Sequence, residues 1–373
     1  MMPKRGSQRR KSTLWITLNS YFGCMKPVVL VTTFLLSFLS CGQLSDKILD
    51  LLSPVVDSLP EGTSISFGIL KDDSPSFVGL TKSGGRFILT DLTDSKFEIG
   101  SITKTFTSTV LADLILNDKL CLNSKVNKEF PYKWNNKTKV SYQELANHTS
   151  GMHRLPSNIF PSMLKNQDDP YSNYTLELLD QYLKSEIQLE SETGKKYAYS
   201  NLGAGVLAYA LSMRESNSFD LLVQDKILTP YQMTNTGFEK KTDIQGLNLN
   251  GDPISNWHFN AMKGAGGLIS TANDLSKFVM AQFDQKNATL RLTRESTFEI
   301  SESMSIGLGW HIISPGKEDQ KFWHNGGTGG YTSSIAYRTQ NKTGVIVLSN
   351  ISALSKYSSI IDEICFELLD ELK

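Results

Sequence analysis

The amino-acid sequence predicts an α+β fold in which helices flank an antiparallel sheet built from both chain ends, with a mainly helical lobe inserted between those ends. Short alternating apolar segments, bounded by turn residues, occur near both ends of the chain, and this pattern is typical of antiparallel strands. From about Tyr142 to Met262 the apolar residues recur at helical spacing instead. We therefore expect one integrated unit of two lobes, with a cleft where the lobes meet.

The first predicted strands are Ser64–Leu70 and Ser76–Leu80, because a cluster of aspartates, a serine and a proline between them is typical of a turn. A helix is predicted from Ile102 to about Asn117, since its apolar residues recur at helical spacing. Gly100 stands before that run with Ser101, so the sequence places Ser101 at a helix N-terminus.

The remaining predicted elements are helices in the middle of the chain and strands near its end. The helices of the middle are Thr175–Leu189, Leu202–Met213 and Phe219–Ile227. The late strands are Leu308–Ile313, Tyr331–Arg338 and Val345–Asn350. Asn341–Gly344 is predicted as a hairpin turn, and Ser352–Leu372 as a closing amphipathic helix.

Composition excludes few functions, but it limits the kinds of partner that the protein is expected to bind. Of the 373 residues, 20% are charged, and 38 basic side chains balance 38 acidic ones. A balanced charge does not favour nucleic acid or an acidic surface. We therefore expect a small-molecule or peptide substrate and no nucleic-acid partner.

An export segment is predicted at residues 1–41, followed by one folded domain at residues 42–373. Basic residues precede Met25, and the apolar run Val28–Leu39 is about a dozen residues long. A membrane-spanning helix needs about 20 apolar residues, whereas a signal-peptide core needs about 7–15. We expect export, with a membrane anchor as the alternative. Met25 is an alternative translation start.

The apolar run ends in Phe38-Leu39-Ser40-Cys41-Gly42, which resembles a bacterial lipoprotein box. In such a box a small residue precedes a cysteine that is lipidated and becomes the mature N-terminus. Phe38 departs from the leucine usual there. We expect a lipid on Cys41 that tethers the protein to a membrane of the periplasm or cell envelope, with ordinary cleavage nearby as the alternative.

The folded domain contains two cysteines, Cys121 and Cys365. Two cysteines do not make a disulfide framework. We expect two buried free thiols, with a single bridge between them as the alternative.

A serine and a lysine suggest nucleophilic chemistry, since Ser101 and Lys104 stand three residues apart and share one face of the predicted helix. A lysine with a lowered pKa can take the proton of a serine hydroxyl, and a backbone N–H at a helix start can donate to an oxyanion. The same spacing occurs at Ser162 and Ser314. Only Ser101 precedes a long apolar helix.

Two further elements follow in the chain. Tyr199-Ser200-Asn201 precedes a helix of small apolar residues, and the glycine-rich stretch Trp323–Tyr331 contains His324. Glycines let the backbone approach a ligand closely. A dinucleotide site is not expected, because no G-x-G-x-x-G opens a helix there.

Together and in this order, the three elements resemble Ser-x-x-Lys, Tyr-x-Asn and Lys-Thr-Gly, the signatures of the serine β-lactamase and penicillin-binding-protein superfamily. Within that superfamily, the sequence resembles the branch of class C β-lactamases, D-alanyl-D-alanine carboxypeptidases and related esterases. The supporting stretches are Phe97–Thr107, Leu145–Gly151, Tyr199–Gly203, Thr229–Phe238, Gly264–Leu275, Gly307–Trp310 and His324–Gly330.

The resemblance implies roles for the matching residues. Ser101 would be the nucleophile, Lys104 its activating partner and Tyr199 the base that passes the proton to the leaving group. The sequence leaves open whether Lys104 or Tyr199 takes the first proton. Asn201 would orient Lys104 and the substrate amide. The backbone N–H groups of Ser101 and Gly327, the latter after Gly326, would form the oxyanion hole.

His324 stands where the β-lactamase branch usually has lysine, and the His-x-Gly form is familiar among esterases and peptidases of the family. A histidine near its ordinary pKa of about 6.5 changes charge between about pH 5 and 8. We therefore expect His324 to act in the site and to titrate in that window, a packing role being the alternative. A histidine at this position favours an esterase or peptidase over a β-lactamase.

The leading hypothesis is a serine hydrolase that forms an acyl-enzyme on Ser101 and acts on an ester or amide, such as a D-amino-acid peptide. No cofactor is expected, and no metal, because the five histidines show no H-E-x-x-H spacing. The alternative is a non-catalytic envelope protein that binds peptidoglycan fragments or a protein partner. A third hypothesis is an inert scaffold tethered through Cys41.

Overall fold

The structure, a computed structural model, describes residues 43–238 and 240–372. The chain divides into two units, residues 1–46 and 47–373. Of the first unit only residues 43–46 are described, and they are helical. The predicted export segment, with Met25, the run Val28–Leu39 and Cys41, lies outside the described residues. None of the helices in the described part combines the length and the hydropathy of a membrane-spanning helix.

The second unit is built around a nine-stranded sheet and a two-stranded ladder. The strands are β1 (Ser64–Lys71), β2 (Ser74–Ser83), β3 (Arg86–Leu89), β4 (Phe97–Glu98), β5 (Ile269–Ser270), β6 (Phe298–Ser301), β7 (Met304–Ile306), β8 (His311–Ile313), β9 (Lys321–Gly327), β10 (Thr332–Arg338) and β11 (Thr343–Ser349). The large sheet has the order β3-β2-β1-β11-β10-β9-β8-β7-β6, and β4 pairs with β5.

Neighbouring strands of the large sheet pair antiparallel. The first strand pairs with the last, with Ile65 opposite Ser349 and Lys71 opposite Thr343. The predicted antiparallel sheet drawn from both chain ends is therefore confirmed.

The α-helices lie mainly between β4 and β6. From Thr103 onward they are α1 (Thr103–Leu116), α2 (Tyr142–Ala146), α3 (Phe160–Lys165), α4 (Leu176–Ser185), α5 (Asn201–Glu215), α6 (Phe219–Val223), α7 (Lys263–Gly266), α8 (Ala272–Phe283), α9 (Ala288–Arg294) and α10 (Ser359–Glu371). Single turns of 3-10 helix connect several of them, and a π-helical turn, Gln224–Leu228, extends α6.

Helices α8 and α10 cover opposite faces of the sheet. On one face, Gly68 of β1 contacts α8 so closely that a Cβ there would lie 2.8 Å from Ser276 Oγ. On the other face, Ser334 Oγ of β10 donates a hydrogen bond of 2.6 Å to Asp362 of α10. Since side chains alternate along a strand, each residue of β9 and β10 is directed either to α10 or to the helical lobe.

Helix α1 is enclosed on nearly every side, as eleven of its fourteen residues are buried. Phe106 stacks on Phe278 of α8, with ring centroids 4.3 Å apart. The hydroxyls of Thr105 and Thr107 donate to backbone carbonyls at 2.8 and 3.2 Å, so these polar side chains are satisfied inside the core. The predicted helix that starts beside Ser101 is therefore the central helix of the fold.

Several predicted boundaries differ from the structure, and two of the larger differences lie near the end of the chain. The strand predicted from Leu308 begins only at His311, because Gly309 has a φ of +82° and lies against α1, where a Cβ would be 3.0 Å from the Lys104 carbonyl oxygen. The closing helix, predicted from Ser352, begins at Ser359 after a series of turns.

The cysteine prediction is half wrong. Both thiols are free, but Cys121 is exposed and only Cys365 is buried. Cys121 lies in the loop that follows α1, whereas Cys365 lies on α10 with its Sγ 3.5 Å from the Val345 carbonyl oxygen. Burial raises the pKa of the Cys365 thiol to about 12.

A buried carboxyl group joins β4 to two loops. Glu98 is 4% exposed. Its oxygens accept hydrogen bonds from Thr328 Oγ1 at 2.5 Å and from the Trp257 backbone N–H at 2.6 Å. Burial raises the pKa of Glu98 from 4.5 to about 7, although these two hydrogen bonds act in the opposite direction. Between about pH 4.5 and pH 7, Glu98 therefore holds a proton in the folded protein that the unfolded chain releases.

This difference predicts a pH-dependent stability. A raised carboxyl pKa contributes stability that is full below about 4.5 and is lost as pH rises to about 7. Glu98→Gln cannot ionise, so urea unfolding at pH 5 and pH 8 should show a smaller loss in the variant, by on the order of 1–3 kcal/mol. Glu318→Gln, at an exposed position, is the control. Equal losses in wild type and Glu98→Gln would show that Glu98 does not retain its proton on folding.

Candidate active site

Ser101 lies in a 3-10 turn, Gly100–Ile102, that leads directly into α1. Gly100 has a φ of +48°, and a Cβ there would lie 2.5 Å from Gly327 N. The position therefore requires glycine for two reasons, its backbone conformation and the close approach of β9. Ser333 Oγ of β10 donates to the Ile99 carbonyl oxygen at 2.9 Å. The turn that carries Ser101 is thus held against the sheet.

Lys104 occupies the first turn of α1 and is 2% exposed. Its Nζ lies 2.9 Å from Ser101 Oγ and donates to the Ala265 carbonyl oxygen at 2.6 Å. Burial, and secondarily the positive charge of Arg154, hold the pKa of Lys104 well below its usual 10.5. A lysine in this environment can be a neutral amine and can accept the proton of a serine.

Tyr199 lies immediately before α5 and contacts both members of the Ser101–Lys104 pair. Lys104 Nζ is 4.8 Å from the Tyr199 ring centroid. Burial raises the pKa of Tyr199 above its usual 10, while a hydrogen bond with Ser101 lowers it less. The phenol therefore keeps its proton in a cleft where the lysine loses one.

Tyr199 is positioned by the residues around it. Ser200 caps α5, since its Oγ accepts from Gly203 N at 2.8 Å and donates to the His153 carbonyl oxygen at 2.7 Å. The Ser200 backbone N–H donates to His148 Nδ1 at 3.2 Å, and the His148 ring lies 4.4 Å from the Tyr199 ring. His148 therefore helps to hold Tyr199 in place.

His324 faces the helical lobe from the centre of β9, while its neighbours face α10. Trp323 and Asn325 donate to Asp362 at 3.2 and 2.7 Å. The His324 ring lies 6.3 Å from the Tyr199 ring, and its Nδ1 is 2.6 Å from the Asn325 carbonyl oxygen. Because side chains alternate between the two faces of a strand, the His324 side chain lies in the same cleft as Ser101.

The expected titration of His324 between about pH 5 and 8 is contradicted by its burial. The side chain is 1% exposed. Burial, with the nearby His311 and Lys104, holds the pKa of His324 well below 6.5. Burial therefore favours the neutral imidazole, in contrast to the charged side chain that a lysine would place there.

Gly326 and Gly327 form the edge of the cleft opposite Ser101. A Cβ on Gly326 would lie 1.9 Å from the Ile99 carbonyl oxygen, and one on Gly327 would lie 2.4 Å from Ala353 Cβ. Both positions therefore exclude side chains. The Gly327 N–H lies beside the Gly100–Ser101 backbone, where two N–H groups could bind one oxyanion.

Asn201 does not make the contact that the resemblance implied. Its Nδ2 donates to Tyr171 Oη at 3.1 Å, while Lys104 Nζ is occupied by Ser101 and the Ala265 carbonyl. The buried Oδ1 of Asn201 has no hydrogen-bond partner among the described residues. Asn201 therefore orients Tyr171, and Ala265 orients Lys104.

Several residues of the site were not identified from sequence. Ala265 lies in Gly264–Leu275, one of the stretches that resemble the family. It contacts Lys104 through its backbone carbonyl, so the identity of its side chain does not indicate this role. His311 on β8 lies 5.4 Å from the His324 ring, and its Nε2 is 2.8 Å from Tyr197 Oη. Burial lowers the pKa of His311 to about 4. Within residues 43–238 and 240–372 no metal-binding cluster of histidine, cysteine or acidic side chains occurs.

Comparison with known proteins agrees with this geometry. The family model of the β-lactamases matches residues 89–360. Protein flp of Staphylococcus aureus (strain N315) is 23% identical over 279 residues, which cover 69% of this chain and 53% of that protein. The D-alanyl-D-alanine-carboxypeptidase/endopeptidase AmpH of Escherichia coli (strain K12) is 26% identical over 305 residues, 73% of this chain and 75% of that protein. The chain thus spans about half the length of Protein flp.

A solved structure shares the fold. The beta-lactamase/D-alanine carboxypeptidase from Yersinia pestis has a TM-score of 0.71 and 23% identity, with 87% of this chain and 98% of that chain covered. The matched region of the family model spans well over half of the chain and includes the segments of Ser101, Tyr199 and His324. The chain belongs to the β-lactamase family of serine hydrolases.

Proposed function

We propose that this hydrolase cleaves an ester or amide through an acyl-enzyme on Ser101. The observation that carries the proposal is the 2.9 Å separation between Ser101 Oγ and a lysine amine that is 2% exposed. A hydroxyl becomes a strong nucleophile when a nearby base removes its proton. Burial makes Lys104 such a base.

In the acylation step, Ser101 Oγ attacks the carbonyl carbon and its proton passes to Lys104 Nζ. The negative charge on the carbonyl oxygen is stabilised by the N–H groups of Ser101 and Gly327. Tyr199 then donates its phenolic proton to the leaving group and regains one from the Lys104 ammonium. The products are the free leaving group and an ester on Ser101, with Lys104 neutral again.

Deacylation uses the same groups with water in place of the leaving group. Water attacks the acyl carbon while its proton moves through Tyr199 to Lys104, and Ser101 Oγ takes a proton as it departs. The opposite pKa shifts of the two groups support this division of roles. Lys104 is the group that accepts a proton first, and Tyr199 is the group that donates one.

The substrate class that we propose is a D-amino-acid peptide or a related ester. Two of the similar proteins are named as a D-alanyl-D-alanine-carboxypeptidase/endopeptidase and a beta-lactamase/D-alanine carboxypeptidase. His324 is neutral and buried, so this position offers no charge to a β-lactam carboxylate. A β-lactamase is therefore the less favoured activity.

The alternative remains a non-catalytic envelope protein that binds peptidoglycan fragments or a protein partner. Binding alone would not require a buried low-pKa lysine within hydrogen-bond distance of a serine. The convergence of Ser101, Lys104 and Tyr199 favours catalysis.

The nucleophile assignment predicts that Ser101→Ala abolishes covalent labelling by a fluorophosphonate and by a penicillin, measured as intact mass. Turnover of an ester should fall by about 10⁴-fold. Ser162→Ala is the matched control, because Ser162 shares the Ser-x-x-Lys spacing but is buried in α3. Labelling that persists in Ser101→Ala, or that is lost in Ser162→Ala, would contradict the assignment.

The base assignment predicts a pH profile. Only neutral Lys104 accepts a proton, so kcat/KM for a neutral ester should rise with pH through the lowered Lys104 pKa and level off well below 10.5. His324→Gln should leave this profile unchanged between about pH 6 and 9, whereas Lys104→Arg should lower kcat/KM about 10³-fold. A midpoint near 10.5 in the wild type would exclude Lys104 as the first base.

We also propose export and a lipid on Cys41. Cys41→Ser should release the protein from the membrane fraction, because a lipid anchor depends on that thiol. Cys121→Ser, at the exposed free cysteine, should leave the distribution unchanged. Fractionation and intact mass provide the measurement. Wild-type protein found in the cytosol with residues 1–40 attached would rule out both export and lipidation.

A further inference from the structure

Glu98 is a buried carboxyl group that neither the signature elements nor the proposed mechanism uses. It ends β4, three residues before Ser101, and it is 4% exposed. Its partners are the hydroxyl of Thr328 at 2.5 Å and the backbone N–H of Trp257 at 2.6 Å. A carboxyl group is costly to bury without hydrogen bonds, so these contacts favour one arrangement of the three segments.

The backbone between Glu98 and Ser101 is held on both sides. The Ile99 N–H donates to the Leu268 carbonyl oxygen at 3.1 Å, and the Ile99 carbonyl oxygen accepts from a serine hydroxyl of β10 at 2.9 Å. Gly100 adopts a left-handed conformation, with a φ of +48°. The position of the Glu98 carboxyl group is therefore tied to that of the Ser101 backbone N–H.

Thr328 directly follows Gly327, whose N–H is the second proposed oxyanion donor, and it is 1% exposed. Its backbone N–H donates to the Tyr331 carbonyl oxygen at 2.9 Å, and its carbonyl oxygen accepts from the Ala353 N–H at 3.1 Å. Its side-chain hydroxyl contacts Glu98. The hydrogen bond between Glu98 and Thr328 therefore connects the two segments that carry the proposed oxyanion donors.

Strand pairing does not set the distance between these two segments. In the part of the chain that the structure describes, β4 pairs with β5, whereas β9 pairs with β8 and β10 of the large sheet. The segments nevertheless lie very close together. A Cβ on Gly100 would lie 2.5 Å from Gly327 N, and one on Gly326 would lie 1.9 Å from the Ile99 carbonyl oxygen. Side-chain hydrogen bonds cross this boundary between the two sheets.

Glu98 is compatible with an oxyanion nearby, because its burial favours the uncharged form. Burial raises the pKa of Glu98 to about 7. Asp169 acts in the same direction, while the two hydrogen bonds and His258 act against it. Below about pH 7 the carboxyl group therefore connects the two segments without a negative charge that would oppose the charge on the oxyanion.

We propose that Glu98 is a positioning residue, which sets the separation between the N–H groups of Ser101 and Gly327 by holding Thr328. A donor stabilises an oxyanion when it lies about 2.7–3.1 Å from the charged oxygen, and a displacement of about 1 Å can lower a rate about 100-fold. The inference rests on the proposed acyl-enzyme. It concerns both of its steps, because acylation and deacylation each place a negative charge on the same oxygen.

The test removes the hydroxyl of Thr328 while keeping the shape of its side chain. Thr328→Val should lower kcat for a neutral ester about 10- to 100-fold. KM should change by less than about threefold, because the oxyanion forms only after the substrate has bound. Thr328→Ser should restore kcat to within about threefold of the wild type, since its hydroxyl can still donate to Glu98.

Glu98→Leu removes the same hydrogen bond from the other side, and it supplies the measurement if Thr328→Val does not fold. The double variant should lose no more kcat than the more impaired single variant, because the two changes break one interaction. Losses that multiply would show that the two side chains act independently and would overturn the proposal.

Thr293→Val is the matched control. Thr293 is also buried, and its Oγ1 donates to the Leu290 carbonyl oxygen in α9 at 2.7 Å. Urea unfolding measures the loss of stability in both valine variants, and kcat should fall only in Thr328→Val. An equal fall of kcat in Thr293→Val, an unchanged kcat in Thr328→Val, a change in KM alone, or no rescue by Thr328→Ser would each overturn the proposal.

Covalent labelling of Ser101 by a fluorophosphonate separates this inference from the proposed function. Wild type and Thr328→Val should both reach complete labelling in intact mass, the variant more slowly, because its nucleophile remains but the phosphoryl oxygen is less well stabilised. If the two proteins are labelled at equal rates, only the role of Glu98 is wrong. If the wild type is not labelled, the acyl-enzyme proposal fails and this inference fails with it.

Discussion

The desolvation of one amine is the constraint on which the site depends. Lys104 Nζ is enclosed between Ser101 and the Ala265 carbonyl, and tight backbone contacts keep water out. A Cβ on Gly264 would lie 2.3 Å from Ala208 Cβ, and one on Gly309 would lie 3.0 Å from the Lys104 carbonyl oxygen. Two segments far apart in sequence therefore pack through glycine near the helix that carries Lys104, and the resulting burial lowers the pKa of that lysine.

Burial shifts the pKa values of Lys104 and Tyr199 in opposite directions, because it always disfavours the charged form. It lowers the pKa of Lys104, whose charged form is protonated, and raises that of Tyr199, whose charged form is deprotonated. The same apolar surroundings also keep His148 and His324 neutral. One environment thus provides a base and an acid side by side.

Sequence reasoning predicted Ser101, Lys104, Tyr199 and His324 as site residues because each belongs to a local pattern, and the structure places all four in one cleft. It predicted the sheet from both chain ends for the same reason. It failed where tertiary contacts decide the outcome. The burial that neutralises His324, the Tyr171 partner of Asn201 and the exposure of Cys121 leave no periodic signal. Helix α8 was missed although Thr271 caps it, with Oγ1 accepting from Asp274 N at 3.1 Å.

The pairing of β1 with β11 has a consequence for how the protein is made. Ile65 and Ser349 face each other across the sheet, so the contact closes a loop that includes almost the whole domain. Such long-range contacts form late and slowly. The strand that carries His324 lies in this sheet, next to β10. The nine-stranded sheet therefore cannot be completed before its last strand, β11, is available to pair with β1.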